Sequence, residues 1–178
     1  IIGDNAVIRS HTVIYAGNKI GKGFQTGHGV SIREHNNIGS DVSIGTHSII
    51  EHHIEISDSV RIHSNVFIPE FTILGKGCWI GPNAVFTNAL HPLCPKVKEC
   101  IKGATVKENA VIGANVTVLP DLIIGKGSFI GAGSLLTKDT KDGCVYAGSP
   151  AKQIMETKDI TCRYDLIDNP YFPGGNNE

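Results

Sequence analysis

The 178-residue chain carries a formal net charge of -1 and a sequence pI near 6.8, which excludes the basic footprint of a nucleic-acid binder or of a protein drawn to acidic membranes. No run of about 18 apolar residues is present to cross a bilayer, so neither nucleic acid nor membrane is expected as a partner. Five scattered cysteines, Cys78, Cys94, Cys100, Cys144 and Cys162, make an odd set that predicts reduced thiols and a cytoplasmic setting over a secreted disulfide framework.

The chain begins at Ile1 already inside a repeat. Every sixth residue from Ile2 reads Ile2, Ile8, Ile14, Ile20, Thr26, Ile32, Ile38, Ile44, Ile50, Ile56, Ile62, Ile68, Leu74, Ile80 and Phe86, and thirteen of these fifteen are Ile or Leu. A period of six does not fit a helix at about 3.6 residues per turn, but it is a multiple of two, so short strands separated by corners can turn the same residue inward each time. A second, often small residue recurs four positions later, as in Ala6, Thr12, Val42, Ser48, Val60, Val66, Cys78 and Ala84. Glycine frequently follows the aliphatic (Gly21, Gly39, Gly45, Gly81), where a tight corner needs close backbone approach. The pattern describes an all-β hexapeptide-repeat parallel β-helix; it fixes the period and leaves the hand open. Twenty-one glycines beside 6% aromatics agree with a narrow interior.

Residues 86–105, FTNALHPLCPKVKECIKGAT, break the pattern. Loops longer than about 12 residues are uncommon in compact domains and are usually functional or disordered, so a loop inserted at about 89–105 is the expected active-site element. His91 is its sharpest candidate, because imidazole can take a proton from a hydroxyl or ammonium group at neutral pH; Asn88 is the second. The repeat resumes with Val106, Ile112, Val118, Ile124, Ile130 and Leu136. The expected division is a β-helix over residues 1–141 and, over 142–178, a turn, a short helix starting at Pro150 that covers the open end, and an extended tail with Tyr164, Tyr171, Phe172 and PGGNN.

Over about residues 1–155 the chain resembles the hexapeptide-repeat acyltransferase superfamily, and the FTNALHP run resembles sites of its sugar and nucleotide-amino-sugar acetyltransferases. That resemblance implies a left-handed triangular β-helix with 18 residues per coil. Hexads at 2, 20, 38, 56 and 74 then form face A, those at 8, 26, 44, 62 and 80 face B, and those at 14, 32, 50, 68 and 86 face C, with Val106 re-entering on face A and about seven coils in all. It further implies acetyl-CoA as acyl donor, His91 as general base at the loop root and Asn88 holding the acceptor. IGANVTVLPDLIIGKGSFIGAGSLLTKDT followed by AGSPAK resembles the superfamily's C-terminal coils. By that match Ala114 and Ala132 line the pantetheine arm, and Thr137, Lys138 and Lys152 lie near the nucleotide and its phosphates, where lysine serves as a flexible point charge.

The implied function is acetyl transfer to the amine of a nucleotide-linked amino sugar of polysaccharide biosynthesis. The FTN run favours N-acetylation, whereas His91 fits an O-acetyltransferase of a simple sugar or glycoside. No metal is required. A different class is the γ-carbonic-anhydrase-like zinc enzyme, since His11, His47 and His52 reproduce the ligand gaps of that family; His91, Cys94 and Cys100 are a weaker zinc set, lacking a second cysteine pair. A homotrimer with sites at subunit seams is expected, on the argument that the flat sides carry Ile49, Ile50, Ile54, Val66 and Phe67.

Overall fold

A computed structural model describes residues 1–171; Phe172 and the PGGNN segment lie outside the described residues. Each hexad spends two residues in a strand and four at a corner, so the chain forms nineteen two-residue strands from Val13–Ile14 to Leu135–Leu136. Strands too short to stand alone are held by neighbours one coil above and below. All three faces form parallel sheets with the expected membership: Ile14, Ile32, Ile50, Ile68, Phe86, Val118 and Leu136 share face C, and Ile20, Ile38, Ile56, Leu74, Val106 and Ile124 share face A. Face B runs from Gln25–Thr26 through Phe129–Ile130. The result is a β-helix of about seven turns.

Register confirms the coil. Partners sit 18 residues apart before the loop (Ile14 with Ile32) and 32 apart across it (Leu74 with Val106), so the excursion adds 14 residues without shifting a single side chain to the wrong face. Corners turn through left-handed backbone, many of them occupied by Asn5, Asp41, Asn65, Asn83, Asn109, Asn115 and Asp121 or by glycine, which tolerate positive φ best, and others by His11, His35, His47, His53, Ser59 and Phe71.

The interior is a column of aliphatics: Ile32, Ile50, Ile68, Leu74, Ile80, Ile112, Ile124 and Ile130 are all fully buried, each contributing on the order of 1.5–3 kcal/mol. Polar residues at inward positions are satisfied by the ladder. The Asn18 side chain accepts from the Asn36 backbone N–H at 2.8 Å, and the Asn36 side chain accepts from the Ile54 N–H at 2.8 Å. Cys78 is buried in the same stack, its Sγ donating to the Lys107 carbonyl at 3.0 Å, and burial pushes its thiol up to about 11; it is a packing residue.

Two expectations need correction. Ile50, Ile54 and Val66 occupy inward positions and are buried, so they contribute nothing to an outer side; of the five residues invoked for a trimer, only Ile49 and Phe67 point outward. The second concerns the C-terminus. No helix starts at Pro150: Cys144–Gly148 continues face B parallel to Phe129–Ile130, and Ala151–Glu156 pairs back on it antiparallel. The physical reason is the open end of face B, whose backbone groups need partners; Gly131 N–H finds the Tyr146 carbonyl at 2.8 Å. Among the described residues after Pro150, the helical geometry is one 3-10 turn, Thr157–Asp159.

Candidate functional site

The loop leaves face C after Val85–Phe86 and is pinched at its root, where Lys102 N–H donates to the Asn88 carbonyl at 2.9 Å. Inside it, a turn closed by Cys94 N–H on the His91 carbonyl at 2.9 Å leads to a single 3-10 turn, Val97–Glu99. His91 is exposed near the loop root and Asn88 is half-buried at the corner between faces C and A. Cys94 and Cys100 make only local contacts, the Cys100 thiol lying 3.5 Å from the Lys96 and Val97 carbonyls.

Asn88 is anchored from below. Its Nδ2 donates to Glu70 Oε2 at 2.6 Å, and Glu70 Oε1 lies 3.5 Å from His52 Nε2. Positions 52, 70 and 88 are one coil apart each, so the three side chains form a column on the corner where the loop emerges. His52 in turn meets His53, Nδ1 to Nδ1 at 2.8 Å, which requires a proton on one of the two. Phe71 packs edge-on to His52 at 6.2 Å and adopts φ 64, a left-handed conformation that is costly for a bulky side chain. One coil earlier Glu34 sits below the usual carboxylate range, held by its own backbone N–H and by Arg33. Sequence reasoning missed Glu70 and His52 as neighbours of Asn88. The 18-residue period was the signal that could have found them.

The residues expected to hold the acyl donor divide between two edges of the prism. Ala114 and Ala132 follow face B strands and line a groove of about 410 Å³ with Trp79, Val111, Gly113, Phe129 and Tyr171. The floor is smooth because a side chain at Gly113 would meet the Ala132 backbone N at 2.6 Å, and one at Gly81 the Ala114 N at 2.7 Å. Tyr171 closes one side, its ring 5.0 Å from that of Phe129, so the described part of the tail returns to its own chain. Lys152, exposed on the end hairpin opposite Ala147, belongs to this edge. Thr137 and Lys138 follow a face C strand and share the other edge, two coils beyond Asn88. Within one chain, therefore, the loop with Asn88 and His91 and the Ala114–Ala132 groove lie on different edges.

The histidine set of the zinc reading is also split. His11 and His47 stand at left-handed corner positions after face B, whereas His52 follows face C. Among the described residues, no group of three or more His, Cys, Asp or Glu is placed to hold a metal ion. No helix among them is long and apolar enough to cross a membrane.

Residues 103–138 match the family model described as bacterial transferase hexapeptide (six repeats). The chain is similar to a galactoside O-acetyltransferase of Lactococcus lactis, 42% identical over 81 residues that cover 43% of this chain and 39% of that protein. It is also similar to a 2,3,4,5-tetrahydropyridine-2,6-dicarboxylate N-acetyltransferase of Staphylococcus aureus, 33% identical over 86 residues, covering 48% and 34%. The chain thus spans less than half the length of the curated relatives it matches. Among solved structures, a Bacillus cereus protein described as a candidate acetyltransferase superposes with a TM-score of 0.68 at 24% identity over 82% of this chain and 84% of that one, a likeness of fold.

Proposed function

We propose that this chain, built on the bacterial transferase hexapeptide repeat, is an acyltransferase that moves an acetyl group from acetyl-CoA to the amine of a nucleotide-linked amino sugar. The observation that carries the reading is the groove over Gly113, Ala114 and Ala132, narrow and apolar as a pantetheine arm requires, on a repeat shared with named acetyltransferases.

Because the groove and the loop occupy different edges, a complete site needs two copies of the chain. The groove of one copy faces the Asn88–His91 edge of its neighbour, and three such seams close a homotrimer; the outward apolar residues Ile49, Phe67 and Val85 in three consecutive coils of face C support association. At each seam Thr137 and Lys138 from one chain and Lys152 from the other lie toward the nucleotide end of the donor. His91 takes a proton from the acceptor and Asn88 orients it. The acceptor nitrogen attacks the thioester carbon, backbone N–H groups stabilise the oxyanion, the C–S bond breaks, and the CoA thiolate leaves to be protonated.

O-acetylation of a simple sugar is the second reading, favoured by His91 and by the similarity to a galactoside O-acetyltransferase. Free-thiol release from acetyl-CoA, followed against a panel of nucleotide-linked amino sugars and simple glycosides, tests both. Thiol release with an amino-sugar nucleotide alone supports the first; release only with glycosides transfers the reading to the second; none with either overturns both.

A further inference from the structure

Face B carries a second hollow on the N-terminal side of the groove described above. It has a volume of about 370 Å³, and its ionisable lining consists of Arg9, Arg61, His28 and His63, with no carboxylate. Ser43, Ser64 and Thr46 add hydroxyls to the same wall.

The guanidinium groups are differently committed. Arg9 uses Nη1 on the Thr26 carbonyl at 2.6 Å, which fixes its plane while leaving its other donors free. Arg61 stands outward on the strand Arg61–Ile62, and among the described residues its side chain makes neither a hydrogen bond nor an ion pair. Asp41 lines the adjoining hollow together with Arg61 yet stays beyond ion-pair distance. Arg33 differs: it is neutralised by Glu34 at 2.8 Å and Glu51 at 3.0 Å. A pair of exposed, uncompensated guanidiniums on one hollow, beside the Ser43 and Ser64 hydroxyls, is a donor set that a multiply charged oxyanion satisfies, because arginine meets phosphate oxygens through two parallel N–H bonds.

The hollow adjoins the Ala114–Ala132 groove. Arg61 and Trp79 are paired on neighbouring strands of face B, about 4.8 Å apart, and the rings of His63 and Trp79 meet at 4.5 Å between the two recesses. One edge of the prism thus changes from an apolar, glycine- and alanine-floored half to a cationic, hydroxyl-lined half at Trp79.

We propose that the Arg9–Arg61 hollow is a binding site for a diphosphate group. It rests on the acetyltransferase reading only for what carries that group: on that reading the diphosphate belongs to the acceptor, which lies end to end with the acyl donor along the same edge, and a simple uncharged sugar is not the substrate. The site itself stands on the geometry of the two arginines.

The test is calorimetric titration of the full chain with inorganic pyrophosphate in metal-free buffer, with acetyl-CoA titrated into the same samples. Wild type should bind pyrophosphate; Arg61→Ala and Arg9→Ala should each weaken it by about tenfold or more, the loss expected for a charge-assisted pair. Arg61→Lys should retain part of the binding, and Arg163→Ala, outside the hollow, all of it. Equal melting temperatures establish that the variants are folded. Pyrophosphate binding that Arg61→Ala and Arg9→Ala leave unchanged, or no binding to wild type at millimolar concentration, overturns the proposal. Pyrophosphate binding without acetyl-CoA binding keeps the site and removes the transferase reading; the reverse removes the site and keeps that reading.

Discussion

The Asn88 side-chain amide donates to the Glu70 carboxylate at 2.6 Å, across one coil of the β-helix. The bond fixes which end of the amide faces the loop: with Nδ2 committed to Glu70, Oδ1 is the atom left to accept from an acceptor N–H or O–H. On the proposed reading, Glu70 is therefore a positioning residue for Asn88. Asn88→Ala and Glu70→Ala are expected to lower acetyl transfer by up to about 100-fold each, the scale of a misplaced contact. Because they act through one bond, the double variant should be no worse than the weaker single one. Additive losses in steady-state kinetics would contradict the coupling.

His91 is exposed on the loop, free to meet a proton donor from outside its own chain. His91→Ala should reduce turnover by about 10² to 10⁴-fold if the imidazole is the general base, with the KM for acetyl-CoA unchanged. A retained rate would remove His91 from the chemistry and identify an acceptor amine that is already deprotonated when it attacks.

The division of the site between two edges makes a prediction that no single-chain site shares. His91→Ala disables the loop edge and Ala132→Trp fills the groove edge, so each alone should be inactive. Co-expressed, they should form mixed assemblies with some seams built from one intact loop and one intact groove, and activity should return to a substantial fraction of wild type. Failure to complement, in assemblies shown by mass to be mixed, would mean that one chain holds the whole site.

Acid should weaken the fold through the corner between faces A and B. Asp142 accepts from the Lys126 backbone N–H at 2.8 Å, and this bond, with Lys107 nearby, holds its carboxyl below the ordinary range; Glu108 is lowered by its bond to the Lys126 side chain. A carboxylate depressed in the folded state stabilises it above the unfolded pKa and loses that contribution as pH falls through the folded one. The melting temperature should therefore hold at neutral pH and decline below about pH 4, and Asp142→Asn should flatten part of the decline. An unchanged acid slope in that variant would contradict the assignment.

The sequence displayed the frame more readily than the chemistry. A strict six-residue spacing of Ile and Leu determines which residues face inward, and because two-residue strands carry no independent stability, that inward set also dictates register and face. The loop was visible as the interruption of the same signal. What escaped notice follows from reading hexads one at a time. Ile54 and Val66 look like surplus apolar surface until the second inward position is applied to every hexad, and Ile50 already stands at the first. Glu70 and His52 are ordinary corner residues until they are counted 18 and 36 positions back from Asn88. The end hairpin was misread because Pro150 marks a helix start only where a helix is the cheapest cover; here the unpaired backbone of the last face B strand demanded another strand. The arginine hollow needs four coils stacked before Arg9 and Arg61 line the same space.

The most direct test of the account is calorimetric titration of the purified chain with acetyl-CoA, repeated on Ala132→Trp, with metal content measured on the same samples. The account predicts one site per chain in wild type, loss of binding in Ala132→Trp at unchanged melting temperature, and no stoichiometric zinc. No acetyl-CoA binding, together with about one zinc per chain, would contradict it and return the histidines of faces B and C to the centre of the function.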